Sequence, residues 1–349
     1  MTVSLLLGPV LRHVGPATAT VWVETDAPCD VRVRVDGGPV SASRTFTVHG
    51  HHYAVCEIEG LTPGSVLPYE VFLGEDRVWP EPDSPLPPSV LRTLSPDAPT
   101  RLLYGSCHTP TGDTPEGLVR YGPDMLRATA RRLAREDPTE DNLVLLLIGD
   151  QVYADEVQEP MRAFLRERRG AEDPDGAPEG EVVRFDEYAE LYRQAWSDPQ
   201  VRWLLSTVPT LMVFDDHDIR DDWNTSAAWR GAMDGYPWWR TRVTSGLGAY
   251  WVYQHVGNLS PTRAPRTRCG RPCATTASAA PTPGTRWTRS RGARTTSPPP
   301  TGGATTTTWA AYGSSWPTPA AVETWTRTTS PAAHGPSWDP TVTTGWTST

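Results

Sequence analysis

The sequence contains no lysine. All 32 basic residues are arginine, and against 41 Asp and Glu they leave a formal charge of -9. That balance argues against a general nucleic-acid clamp, because neutralising a phosphate backbone takes a basic surface. No apolar run approaches the roughly 18 residues of a membrane span. Residues 1–10 carry neither a basic stretch nor an Arg-Arg pair ahead of the apolar residues 5–7, so no export signal is read there. Five cysteines, Cys29, Cys56, Cys107, Cys269 and Cys273, are an odd number in a chain of 349 residues, which speaks against a disulfide framework. Length and these absences predict a cytoplasmic protein of about two domains, with no membrane contact and no stable nucleic-acid binding.

The largest deficit is local. Residues 261–349 contain no Leu, Ile, Phe or Met, two Val, two acids (Glu323 and Asp339), nine Arg and 24 Thr. Such a segment cannot bury enough apolar surface to offset its chain entropy, which predicts a disordered tail. Residues 1–260 hold 39 acids and 23 Arg, a net of -16, whereas the tail has nine Arg against two acids, or +7. A Thr/Pro-rich linker or glycosylated stalk shares that composition. Six scattered tryptophans (Trp287, Trp309, Trp316, Trp325, Trp338 and Trp346) do not suit a stalk. Thr, Arg, Pro, Ala, Ser, Gly and Trp are what a GC-rich coding strand yields out of frame, and the missing lysine points to such a strand. Reading from the third base of each codon permits residues 314–320 to become Val-Val-Ala-Asp-Ser-Arg and residues 344–349 to become Asp-Trp-Leu-Asp-Glu. The composition therefore suggests a frameshift between Gly257 and Arg266.

Residues 1–95 have the rhythm of an all-β module. Residues 20–24 (TVWVE), and Val31, Val33 and Val35 alternating with Arg32 and Arg34, show the period of two of half-buried strands. Further strands are expected at 45–48, 53–58 and 69–73, divided by Asp36-Gly37-Gly38 and Leu61-Thr62-Pro63-Gly64 turns. That spacing indicates a sandwich. The Leu-Thr-Pro-Gly turn followed by residues 68–71 (PYEV) resembles the corner of a fibronectin type III or immunoglobulin-like domain, whose usual role is binding or scaffolding. His49, His51 and His52 read as a solvated turn cluster, with a metal site as the alternative. Residues 80–98 are proline-rich and read as a linker that cannot continue a central strand.

From residue 100 onward strands alternate with helices. Strands are expected at 101–106 (RLLYGS), 142–148 (NLVLLLI) and 210–214 (TLMVF), and helices at 123–136 and 185–196. The continuous apolar run 142–148 predicts a central strand covered on both faces. This order predicts an α/β layered domain over residues 100–260. The acidic, Gly- and Pro-rich residues 170–181 are expected to form a mobile surface loop.

All three strands end at residues of metal-ligand type. They are Gly105-Ser106-Cys107-His108, Gly149-Asp150-Gln151-Val152-Tyr153-Ala154-Asp155 and Asp215-Asp216-His217-Asp218-Ile219-Arg220-Asp221-Asp222. In open α/β sheets the carboxyl ends of strands are where sites assemble. Five carboxylates within residues 215–222 raise one another's pKa unless cations offset them. Taken singly, Cys107 could be a small buried hydrophobe, Tyr153 a packed ring and Asp150 a helix cap. Their joint occurrence at three strand ends points to a metal site. Serine-hydrolase, P-loop and dinucleotide motifs are not found.

The strings GSCHTP, LIGDQVYADE and VFDDHDIRDDWN resemble the alkaline phosphatase D (PhoD-like) family of metallophosphatases, over about residues 1–260. The resemblance implies an αββα metallophosphatase core behind a sandwich, acting on a small-molecule phosphomonoester or phosphodiester through metal-activated water. It implies two adjacent cations, Ca2+ and Fe3+, with Zn2+ or Mn2+ as other occupants. Carried over by motif, Cys107 would be a thiolate ligand, Asp150 the carboxylate bridging both metals, Tyr153 a phenolate ligand and Asp216 a further ligand. Asn224 is an additional ligand candidate. Carboxylates suit calcium, while thiolate and phenolate suit ferric iron. His217 would face the substrate and give a proton to the leaving group. Arg220 would pair with a phosphate oxygen or, equally, with Asp221 or Asp222.

The family's later Gly-Asp-x-His segment and Asp-Ser-Arg loop have no counterpart in the printed chain. His255 and His334 stand alone, and the pair Cys269 and Cys273 has no partner pair. The domain is therefore expected to be incomplete, with exposed edges and missing ligands, and the chain impaired. One alternative is a catalytically dead phosphatase scaffold whose sandwich serves as a binding module; another is a damaged gene with no stable product.

Overall fold

The computed structural model describes residues 2–110, 115–136, 142–170, 173 and 175–261. The expectations for the tail, including Cys269, Cys273, His334 and the six tryptophans, lie outside the described residues.

Nine strands come first: β1 (Leu5–Val14), β2 (Thr18–Thr25), β3 (Asp30–Val35), β4 (Val40–Arg44), β5 (Phe46–Val48), β6 (His51–Glu59), β7 (Val66–Leu73), β8 (Asp76–Trp79) and β9 (Val90–Arg92). They make two sheets of order β1-β2-β6-β5 and β4-β3-β7-β8, with β9 beside β7. The period-two pattern places Val31, Val33 and Val35 inside and leaves Arg34 outside, where its Nε donates to Glu70 Oε2 at 2.9 Å. Leu11, Val21 and Ile58 from one sheet meet Val33, Val71 and Trp79 from the other in a single core. Each fully buried aliphatic chain there contributes roughly 1.5–3 kcal/mol, so the module is a true β-sandwich with a closed interior.

Three parallel strands follow, β10 (Thr100–Gly105), β11 (Asn142–Ile148) and β12 (Thr210–Val213), in the order β10-β11-β12. The helices are α1 (Pro115–Tyr121), α2 (Met125–Leu133), α3 (Glu159–Arg169), α4 (Phe185–Trp196), α5 (Pro199–Thr207), α6 (Ala227–Met233) and α7 (Trp239–Ala249), which runs into a π-helical turn (Tyr250–His255). Asp124 opens α2 by accepting from the backbone of Leu126 and Arg127, and Asp198 opens α5 ahead of Pro199. One face of the sheet, with Leu143, Leu145, Leu147 and Met212, packs into a core that also holds Leu165, Tyr188 and Leu204.

The other face is open. Strand register sets Leu102 beside Val144, Tyr104 beside Leu146, Leu146 beside Leu211 and Ile148 beside Val213. Leu102 is 53% exposed, Tyr104 76%, Ile148 48% and Val213 45%. The expectation of a central strand covered on both faces is thus corrected. The run is apolar on both faces, yet the described residues cover only one.

Two further readings change. Residues 80–98 are not a free linker, because β9 pairs with β7, Trp203 Nε1 donates to the Pro87 carbonyl at 2.7 Å and Ser89 Oγ meets Ser206 Oγ at 2.6 Å. A proline-flanked segment fits here because β9 pairs on one side only. Trp22 and Tyr53 of the sandwich also join Tyr192 and Tyr253 in the core of the α/β region. The described part of the acidic loop is likewise tied down. Asp173 and Asp175 accept from Arg184, Arg169 binds the Pro178 and Glu181 carbonyls, and Glu181 accepts from Arg220 and Arg242. Its acidity serves arginine pairing rather than solvation. Among the described residues no helix is long and apolar enough to cross a membrane, and Cys29, Cys56 and Cys107 are free thiols.

Candidate metal centre

The loops leaving β10, β11 and β12 are joined by backbone hydrogen bonds. Cys107 N donates to the Gly149 carbonyl at 3.2 Å, His108 N to that of Asp150 at 2.9 Å, and Ala154 N to that of His217 at 2.9 Å. Holding them so close bends the chain into conformations that side chains disfavour. Of five non-glycine residues at positive φ among the described residues, four lie here: Cys107 (59°), Asp150 (49°), Asp222 (52°) and Asn224 (67°). Backbone of this kind gathers at functional sites. Gly149 (φ 105°) is needed for the approach of the third loop, since a Cβ there would stand 2.7 Å from Asp215 Cβ.

This stitching brings the predicted residues together. Cys107 Sγ donates to Asp150 Oδ2 at 3.2 Å, and Asp150 Oδ1 accepts from His217 N at 3.3 Å. Asp150, Asp216 and His217 each offer a ligand atom within 4.8 Å of the others. The Tyr153 ring centroid lies 4.5 Å from that of His217. Asp216 also groups with Asp221 and Asp222, and Asp222 N donates to Asp216 Oδ2 at 2.7 Å. Asn224 is half-buried two residues further along.

Arg220 is placed differently. Its Nη1 donates to Glu181 Oε2 at 2.7 Å, an oxygen it shares with the buried Arg242, rather than to Asp221 or Asp222. Of the histidines 49, 51 and 52, His49 is exposed and the other two are half-buried, each with a neighbour of its own. His49 stacks 4.7 Å from the Phe185 ring, His51 faces Glu24 and Arg193, and His52 bonds Thr47.

Comparison with known families divides the chain in the same way. Residues 2–91 match the model described as Domain of unknown function (DUF7800), and residues 125–269 match that of PhoD-like phosphatase. Residues 125–269 are a PhoD-like phosphatase domain. The PhoD-like domain holds Asp150, Tyr153, Asp216 and His217, while Cys107 precedes the matched stretch. A solved structure described as "Structure of PhoD" is 14% identical with a TM-score of 0.49, covering 74% of this chain and 47% of its own length. The chain thus spans about half of that protein. A second, "Crystal structure of Br derivative BhCBM56", is 20% identical over 20% of this chain and 83% of its own, with a TM-score of 0.15. No curated protein matches the sequence.

Two pairings in this region escape a reading of the sequence. Asp155, five residues after Asp150, sets its carboxylate 3.0 and 3.1 Å from His217 Nδ1 and also accepts from Asp221 N at 2.6 Å. His108 Nε2 lies 3.2 Å from Asp124 Oδ2, which anchors the Cys107 loop to the first turn of α2.

The electrostatics of the PhoD-like domain are those of crowded acids. Burial raises the Asp150 carboxyl, Asp215 and Asp216 add to the shift, and Cys107 and His217 oppose it. Burial pushes Asp218 up to about 7, against hydrogen bonds from Asp215 N and Gln254 Nε2. Tyr153 is raised by burial and then by Cys107, Asp150 and Asp155. Burial pulls His217 down, but the Asp155 hydrogen bond and the charges of Asp155, Asp150 and Asp216 outweigh it, so the imidazole holds its proton more tightly than usual. Each acid makes its neighbours harder to ionise. A cation reverses that effect, and a set of carboxylate, imidazole, thiol and phenol is chemically suited to hold one. The residues present fit a metal.

Proposed function

We propose that this chain carries the metal centre of a phosphate-ester hydrolase, a phosphomonoesterase or phosphodiesterase. The observation that supports this most is the convergence of Asp150, Asp216 and His217 within 4.8 Å at the neighbouring ends of β11 and β12. Asp150 and Asp216 would hold the ions, with Cys107 and Tyr153 as further ligands and Asp221, Asp222 and Asn224 close in sequence to Asp216. Cations here, Ca2+ and Fe3+ in our assignment, supply positive charge for the phosphate and acidify water. The other steps belong to the protein. Asp155 fixes His217 through Nδ1, which leaves Nε2 to hand a proton to the departing oxygen. Glu181 holds Arg220 beside Arg242 through Nη1, which leaves the other guanidinium donors of Arg220 for a phosphate oxygen.

The N-terminal module we assign as immunoglobulin-like, on its order of β1-β2-β6-β5 facing β4-β3-β7-β8. The uncovered face of the three-stranded sheet favours an impaired enzyme and keeps a second reading in play, a dead phosphatase scaffold presenting the sandwich to a partner. The composition of the tail supports a change of reading frame between Gly257 and Arg266. The coding DNA tests that, an alternative frame that restores Leu, Ile and Val being the expected result.

The hydrolase reading is tested with the full chain, supplied with Ca2+ and Fe3+, on a chromogenic phosphate ester. We expect slow turnover that a chelator removes and that Asp150→Asn and His217→Ala abolish. Turnover indifferent to chelation and to both substitutions contradicts it. Metal binding without turnover supports the scaffold.

A further inference from the structure

Cys107, at a φ of 59°, sits in the left-handed region that side chains disfavour, and something must hold it there. Backbone hydrogen bonds from Cys107 N to the Gly149 carbonyl and from His108 N to that of Asp150 fasten it to the loop after β11. The other fastening is the His108 side chain. Its ring is 9% exposed and turned into the fold, whereas the neighbouring thiol is exposed beside Asp150. Nε2 lies 3.2 Å from Oδ2 of the buried Asp124 carboxylate. Nδ1 is buried and has no partner among the described residues, so Asp124 alone gives the ring a polar contact there.

Asp124 is a fixed point because it is tied to α2. Its Oδ1 accepts from Leu126 N at 2.9 Å and from Arg127 N at 3.1 Å, and Arg127 Nε lies 3.1 Å from Asp198 Oδ2 at the start of α5. Burial works against the Asp124 charge, but the His108 contact and the two backbone donors outweigh it and keep the carboxyl below its ordinary pKa. A carboxylate placed this way orients an imidazole as the outer partners of a metal site orient its ligands. We propose that His108 is a positioning residue of the metal centre: gripped by Asp124, it keeps Cys107 in its left-handed conformation and the thiol beside Asp150. This role rests on the metal centre proposed above and adds what selects its ion. Carboxylates alone suit hard ions such as Ca2+, whereas a thiolate favours softer ones such as Co2+. The His108–Asp124 pair therefore sets the preference between the two.

Titration of the metal-stripped full chain with Co2+, read by absorbance, tests this beside calorimetry with Ca2+. The parent chain should show a thiolate-to-cobalt charge-transfer band that Cys107→Ser removes. His108→Ala should lose that band and bind Co2+ about 10–100-fold more weakly, while Ca2+ affinity and the circular dichroism spectrum hold. Asp124→Ser keeps a capping oxygen for α2 but withdraws the acceptor from His108, and should behave in the same way. His108→Gln, which keeps an N–H for Asp124, should retain the band. A band of parental strength in both His108→Ala and Asp124→Ser would overturn the positioning role alone. So would equal losses of Co2+ and Ca2+ binding, the mark of a merely structural part, or a band indifferent to Cys107→Ser. A parent chain that binds neither ion, or whose binding Asp150→Asn leaves untouched, would overturn the metal centre itself and this role with it.

Discussion

The sandwich and the three-stranded sheet are made of similar apolar strands, but Ile58 on β6 is fully buried while Ile148 on β11 is half exposed. The sandwich closes its strands between two sheets, with the Arg34–Glu70 ion pair on its outer surface. The α/β sheet closes one face and delivers its polar residues to the carboxyl ends of its strands, where left-handed backbone and crowded acids accumulate. The difference teaches that burial on both faces marks the part of this molecule that maintains the fold. The unshielded and strained part is where the candidate metal centre lies.

The sharpest way to break this contrast is to put the same charge on both strands. Ile58→Asp buries an unpaired carboxylate in the sandwich and costs about 4 kcal/mol or more. Ile148→Asp should cost less than about 1 kcal/mol, as a surface change does. Urea unfolding of the full chain measures both, and equal losses would mean that the open face is covered. Gly149→Ala comes next. It sets a Cβ 2.7 Å from Asp215 Cβ at a φ of 105°, and should cost about 2–3 kcal/mol while separating the second and third site loops.

The smallest expected effect lies in the arginine-bound acidic loop. Hydrogen bonding to Arg184, against the opposing effect of burial, holds the Asp173 carboxyl at about 2, below its ordinary value. A depressed carboxyl contributes stability that is complete above its unfolded pKa, about 4, and is lost as pH falls from there toward 2. With the Arg184 side chain 26% and that of Asp173 7% exposed, the loss is on the order of 1–2 kcal/mol. Arg184→Gln should flatten that acid limb in a plot of unfolding midpoint against pH.

Regular patterns were readable from the chain where one face was buried and the other free. The apolar run and the helical spacing gave β11 and α4 with the bounds Asn142–Ile148 and Phe185–Trp196 that the structure has. β1 was not readable as a strand because it is buried from both sides. Leu7 and Val10 enter the α/β core and Leu11 the sandwich core, so no alternation marks it. α7 was missed because Gly246 and Gly248 weaken its helical signal, and tertiary packing overrides that weakness. The three motifs were legible because each is contiguous. The pairs that support them, Asp155 with His217, His108 with Asp124 and Arg220 with Glu181, join residues 62, 16 and 39 positions apart. Such pairs arise only when the strand ends converge.

That convergence is most directly tested by calorimetric titration of the metal-stripped full chain with Ca2+ and Mn2+, beside Asp150→Asn and Asp216→Asn. Saturable binding to the parent chain, weakened at least about 100-fold in both folded variants, is the predicted result. Heats indistinguishable between parent and variants, or no binding to the folded parent, would contradict a cation centre at these strand ends.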